Sequence, residues 1–314
     1  MTLQDIRISK PLTDISVAYT NGMFIADQVL PRVIENRLEP FYYKWDKNNL
    51  RLDNDVRAPG NKAFEVDFGI SKSAAFYLIE RSLKTKIPDE DMEAARDADA
   101  KFDLKVSKTK LLNNKLLTRY EYQAAAELFS GTTFSGYTAA LSGNDCWDQY
   151  GTSDPVKKII DARNLVRKAT GVYPNMVVLG AEVFDVLTNH PDILDRIKGG
   201  ATKASPADVT AESLAQIFKV NKVLVGGSIY NSVNEGATDS TSDIWGKYAL
   251  ICYVSPTPEK ESPSLGYTFY NTNAEMVREW YDKEARSTYV EVTKKFVHKV
   301  VAPAAGYLYS TVIA

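Results

Sequence analysis

The spacing of apolar residues changes character along this chain, and each change marks a predicted element. Residues 1–39 show no sustained period. Pro11, Pro31 and Pro40 punctuate them, and only Ala18 to Val29 has the makings of a short helix. The segment predicts an extended arm, with Phe24, Ile25, Val29, Leu30 and Val33 as the apolar positions able to dock it. From residue 40 to 86 the pattern is strand and turn. Phe41-Tyr-Tyr-Lys-Trp45 and Ala63-Phe-Glu-Val-Asp-Phe68 flank a polar stretch with Asp53, Asn54, Asp55, Pro59 and Gly60, which predicts a hairpin with a long polar tip.

A helical period follows. Pro88 suits a first turn, Asp89, Glu90, Asp91 and Glu93 complement the positive end of a helix dipole, and Leu112, Leu116, Tyr120, Ala124 and Leu128 recur at i, i+4. One helix from Pro88 to near Gly131 would be about 60 Å long, and a break near Ala100 is compatible with the pattern. It needs a sheet or another subunit beside it. Residues 132–270 alternate between helix and strand. Asp154-Pro155 opens a helix that ends at Gly171, and Met176-Val-Val-Leu179 is a buried strand. Short helices precede His190-Pro191 and Gly199-Gly200, and Thr210 caps another before Val223-Leu-Val225. Residues 232–242 are a surface loop by composition. Val290, Val292, Phe296 and Val300 then alternate along a strand that turns at Pro303 to Gly306.

Composition narrows the function. At 314 residues, with 44% hydrophobic and 25% charged content, the chain suits two compact lobes plus extensions. It has no run of about 18 apolar residues and its N-terminus has no secretory pattern. The formal net charge of −2 argues against a generally basic nucleic-acid binder. Cys146 and Cys252, far apart in sequence, read as small buried hydrophobes rather than disulfide halves. The two histidines, His190 and His298, have no partners at metal-ligand spacing, and no Gly-x-Ser-x-Gly elbow accompanies them. Gly199-Gly-Ala-Thr-Lys203 lacks the Walker spacing and follows a helix. The reading is therefore of a protein without catalytic, metal or cofactor residues. One constellation stands out: Lys101, Lys105, Lys108, Lys115 and Arg119 fall within a sector of about 80° on an ideal helix. It is either a solvated face or a basic rail toward a polyanion or an acidic neighbour.

The segments Ile25-Ala-Asp-Gln-Val-Leu-Pro-Arg-Val33, Asn175-Met-Val-Val-Leu-Gly-Ala-Glu-Val-Phe-Asp-Val-Leu-Thr-Asn-His-Pro191, Lys222-Val-Leu-Val-Gly-Gly-Ser-Ile-Tyr-Asn231, Asp243-Ile-Trp-Gly-Lys-Tyr248 and Val301-Ala-Pro-Ala-Ala-Gly-Tyr-Leu-Tyr309 occur in that order. In this order they resemble the major capsid proteins of tailed double-stranded DNA bacteriophages, with the Hong Kong 97-like fold. The resemblance implies an α+β subunit with an N-terminal arm (1–39) and an E-loop hairpin (40–86). It further implies a peripheral domain built on a long spine helix (87–131, with returning strands 271–314) and a mixed α/β axial domain (132–270).

It also implies a non-enzymatic shell subunit that self-assembles as pentamers and hexamers around DNA. The partners would be a separate scaffolding protein, a portal and a decoration protein, with assembly in the host bacterial cytoplasm and residence in the virion. The basic rail would face the lumen or the scaffold. Lys62 and Lys72 match no covalent cross-linking pattern. Competing readings are an encapsulin-type compartment, a phage tail or connector subunit, and a nucleotide-using α/β enzyme.

Overall fold

The alternation ending at Val300 produces the longest strand among the described residues, and the fold is arranged around it. The structure, a computed structural model, describes residues 7–8, 24–37, 39–45, 52, 56–57, 59–60, 62, 70–98, 103–198, 209–233, 238, 240–258 and 264–314. The first elements are β1 (Arg7–Ile8), α1 (Ala26–Val29), β2 (Arg32–Ile34), β3 (Tyr43–Trp45), β4 (Ile70–Lys72) and β5 (Ile79–Pro88). Two helices follow, α2 (Asp89–Ala98) and α3 (Leu104–Leu128), then β6 (Thr138–Ala140) and α4 (Pro155–Thr170). The next elements are β7 (Met176–Gly180), α5 (Ala181–Thr188), α6 (Pro191–Lys198), α7 (Ala211–Phe218) and β8 (Lys222–Gly226). After them come β9 (Ile229–Asn231), β10 (Thr241–Asp243), β11 (Ala249–Cys252) and β12 (Gly266–Tyr270). The chain closes with β13 (Met276–Asp282), β14 (Ser287–Val300) and β15 (Gly306–Ser310).

The first sheet has β14 at its centre. β5 pairs antiparallel along one side, from Ser287↔Pro88 to Phe296↔Ile79. β13 and β12 share the other side, joined outward to β1 and to the parallel β2. On one face Ile87, Val277, Val290 and Val292 bury Leu112 and Leu116 of α3. On the opposite face Tyr42, Phe76 and Leu78 pack against Tyr267, Phe269 and Val33. The second sheet runs β6-β15-β11-β7-β8. Side chains of α4 to α7, among them Ile159, Val183, Ile193 and Phe218, cover one of its faces, and the other shares a core with α1 and the end of α3.

Local chemistry explains the boundaries. Asp154 accepts the Lys157 N–H at 2.8 Å, Pro155 opens α4, and Gly171 closes it at φ 80°. Thr210 and Ser213 form a capping box on α7. Asp103 accepts the N–H groups of Lys105 and Val106 and so starts α3 afresh. The helical pattern after Pro88 is therefore two helices rather than one.

Two expected boundaries shift, and one expected strand lies outside the described residues. The hairpin anticipated over 40–86 has a described base in which β3 pairs with β4, while its predicted second strand, 63–68, lies outside the described residues. Residues 79–86 belong to β5 and thus to the first sheet, because β14 offers them a continuous backbone ladder. The division at 271 is crossed in both directions: β12 lies in the first sheet and β15 in the second. The turn at Pro303–Ala305 sends the chain between the sheets. Gly306 permits that passage, since a Cβ there would come within 2.7 Å of Leu265 and 2.8 Å of Phe134.

Gly226 ends β8 against the Trp245 indole, where a Cβ would sit 2.2 Å from Cγ. Gly226→Ala is expected to destabilise the full-length chain by about 1–3 kcal/mol through overpacking, read as a lowered denaturant midpoint at constant m-value.

Candidate functional site

The arm is fastened at one buried carboxylate. α1 has no cap from its own neighbourhood: its N-cap residue, Ile25, has no side chain able to accept a hydrogen bond. The acceptor comes instead from Glu121 on α3. Its Oε1 accepts the N–H of Ile25 at 2.7 Å and of Ala26 at 3.2 Å, and its Oε2 accepts Ala26 N–H at 3.0 Å. Trp245 donates its indole N–H to the same Oε1 at 2.8 Å. Glu121 is fully buried. Burial pushes its carboxyl above the usual range, and the three N–H donors pull against that shift. One side chain thus joins the arm, the long helix and the turn that leads into β11.

A second polar cluster holds the other end of α1. Asp27 receives a two-pronged contact from Arg32, Nε to Oδ1 and Nη2 to Oδ2, each at 2.8 Å. The Tyr120 hydroxyl donates to the same Oδ1, and the Arg32 guanidinium lies 5.4 Å from the Tyr120 ring centroid. Burial and the charge of Asp27 raise Tyr120 well above the ordinary phenol range. Beneath it, His298 Nε2 donates to the Tyr120 carbonyl at 3.1 Å, which fixes the tautomer. Nδ1 lies 2.9 Å from the Thr268 hydroxyl, itself 3.0 Å from the Leu30 carbonyl. Burial, with the charges of Arg81 and Arg32, outweighs the Tyr120 contact and the Asp27 charge and lowers His298 to about 4.

Ile25, Val29, Leu30 and Val33 are buried and Phe24 is half-buried. The apolar docking positions of the arm thus pack within their own chain. The physical reason is that Tyr120, Ala124 and Leu128 of α3 present a matching apolar face beside the Glu121 cap. Of the basic stripe, Lys101 lies outside the described residues. Lys105 is not free: it pairs with Glu279 of β13. Lys108 is half-buried, and Lys115 and Arg119 are exposed, with Arg119 5.5 Å from the Tyr122 ring centroid. The stripe flanks the buried face of α3.

The histidines have structural partners. His190 Nδ1 accepts the Asp192 N–H at 3.3 Å, so Nε2 carries the proton toward Ser153 Oγ at 3.1 Å. Ser153 in turn donates to the Gln149 carbonyl at 2.8 Å. The serine proton points away from the imidazole, the reverse of an activated nucleophile. Among the described residues no group of three His, Cys, Asp or Glu could hold a metal, and no helix is long and apolar enough to cross a membrane. Sequence reasoning missed Glu121 and His298 as fastenings. The available signal was a lone carboxylate, between Tyr120 and Tyr122, on the apolar side of a helix.

The family model described as phage major capsid protein E matches residues 119–245, which begin within α3 and end at Trp245. The major capsid protein of Burkholderia phage BcepMu is 28% identical, with 98% of each chain covered. Among solved structures, a phage-related protein from Bordetella bronchiseptica RB50 superposes with a TM-score of 0.77 at 22% identity, covering 97% of both chains. The capsid of cyanophage P-SCSP1u gives a TM-score of 0.59 at 10% identity, covering 93% of this chain and 89% of that one.

Proposed function

We infer that the chain is a major capsid protein of a tailed phage, the structural subunit of a head shell. The observation that carries this is end-to-end similarity to a phage major capsid protein, with neither chain left over. The fold is the mixed α+β fold of phage capsid subunits. The named relative being a phage capsid protein favours a phage head over an encapsulin-type compartment.

The finer reading is that subunits associate as pentamers and hexamers and close around double-stranded DNA in the host cytoplasm. A scaffolding protein, a portal and decoration proteins complete the head. Closed symmetry lets modest contacts sum over many copies. The chain, expressed with the scaffolding gene of its phage, is expected to give polyhedral shells by negative-stain microscopy. Nuclease-resistant DNA in particles from infected cells would mark a genome container. Tubes, or a monomer that stays monomeric under all assembly conditions, would overturn the reading.

Lys108, Lys115 and Arg119 form the part of the basic stripe proposed to face the genome or an acidic scaffold. Lys105→Glu is a poor probe because it would break the pair with Glu279. Lys115→Glu with Arg119→Glu reverses two exposed charges and breaks only the Arg119–Tyr122 ring contact, so it should cost the subunit about 1 kcal/mol or less. The expected outcome is normal subunit melting with reduced shell formation or DNA filling; unchanged yields of filled particles would make the stripe a solvated face.

A further inference from the structure

A small cavity lies between β2, α3, β14 and the excursion that joins β12 to β13. Its wall includes Arg32, Tyr120, Tyr270, Glu275, Lys294 and Phe296, and its volume is about 10 Å³, room for one water-sized atom. Lys294 follows the same alternation as Val290, Val292 and Phe296, so its side chain enters the interior on the α3 side. That side chain is only 9% exposed. Its ion-pair partner, Glu275, stands 3.8 Å away, beyond hydrogen-bond reach, and no hydrogen bond to its ammonium is formed among the described residues. Arg32 spends Nε and Nη2 on Asp27, leaving Nη1 without a hydrogen bond to a described residue. Asp27 is already engaged by Arg32 and Tyr120. The wall therefore presents the cationic Lys294 and Arg32, the latter 34% exposed, with Lys295 beside them, against the single carboxylate of Glu275.

A largely buried ammonium whose ion-pair partner stands 3.8 Å away is incompletely compensated, and an anion beside it recovers part of the cost of burial. We propose that this cavity is an anion seat that takes one oxygen of a small oxyanion of the carboxylate or phosphate class, held between Lys294 and Arg32. One oxygen fits the available volume, while the body of the ion stays at the mouth. Two sources share this chemistry: a free ion in solution, and a carboxylate side chain presented by a neighbouring copy in the shell.

The test uses the full-length chain, first as unassembled subunit and then as shells, titrated at pH 7 with sodium acetate and separately with sodium phosphate. Each titration is repeated with Lys294→Met, and the difference between the two proteins cancels general salt effects. The wild-type melting midpoint should rise and saturate, as ligand binding to the folded state requires. Lys294→Met should stay flat and begin at or above the wild type, since a methionine of similar length has no charge to satisfy. Glu275→Gln removes the competing carboxylate, so its midpoint should start lower and saturate at severalfold lower anion concentration. A response that vanishes on assembly assigns the seat in the shell to a neighbour's carboxylate; one that persists there assigns it to a solution ion. Parallel curves for wild type and Lys294→Met, or an unshifted curve for Glu275→Gln, would overturn the proposal. The free-subunit titration stands whether or not the chain builds a shell.

Discussion

Glu121→Ala should loosen the arm from the rest of the subunit. The substitution leaves three buried donors, the N–H groups of Ile25, Ala26 and Trp245, without an acceptor. Each such orphan costs about 1–3 kcal/mol, so a loss of at least about 3 kcal/mol is expected, a large share of a typical domain's stability. Glu121→Gln keeps one acceptor oxygen but turns an amide toward the same donors, and should fall between wild type and alanine. Two readouts separate the clasp from ordinary core damage. Trp245 emission should shift to the red as its indole loses its partner, and the bond after Arg32 should become open to trypsin before the global transition. Wild-type melting and unchanged cleavage after Arg32 in the alanine variant would show that the carboxylate does not hold the arm.

Acid should weaken the same junction through His298. Its folded-state value is about 4, against 6.5 for the free side chain. Because the folded value is depressed, the contribution is fully present above pH 6.5, declines as the pH falls through 6.5 toward 4, and is gone below. A separation of this size corresponds to roughly 3 kcal/mol at about 1.36 kcal/mol per pH unit. The groups that face the ring are Tyr120 on α3, Arg81 on β5, Arg32 on β2 and Asp27 on α1, and the two arginines oppose a further positive charge. His298→Gln retains a donor and an acceptor but does not titrate. The wild-type midpoint should therefore fall between pH 6.5 and 4 more steeply than that of the variant. Equal slopes for the two proteins would assign the acid response to other groups.

Both effects converge on residues 24–34, where the arm packs into the core. This placement ties structure to function. A shell subunit must present its extensions at reproducible positions, and a buried polar cap fixes the starting point of the arm more sharply than apolar contact alone. The junction also couples the two sheets, since Phe296 and Val300 of the first share a core with Val178, Leu250 and Leu308 of the second. A change at Glu121 or His298 should accordingly be felt in both.

Periodicity and caps alone determined the elements whose chemistry is local. Asp154-Pro155 and Gly171 delimit α4, Thr210 caps α7, and the alternation through Val290 and Val300 is β14, because caps and pleats depend on neighbours only a few residues away. The order of segments likewise carried the resemblance to phage capsid proteins. The tertiary structure alone decided which sheet each strand joins. β15 enters the second sheet and β5 the first, since a strand's partner is set by backbone ladders that close over 54 to 60 residues for β15 with β11 and 199 to 217 for β5 with β14, and that leave no local mark. It also decided that Lys105 is paired with Glu279 while Lys115 is free to face outward, a difference invisible on a helical wheel. The meaning of Glu121 belongs to the same category. A carboxylate on an apolar face is a defect by pattern, and becomes a fastening only when folding brings the N–H groups of an arm 96 residues away and of Trp245 to its oxygens.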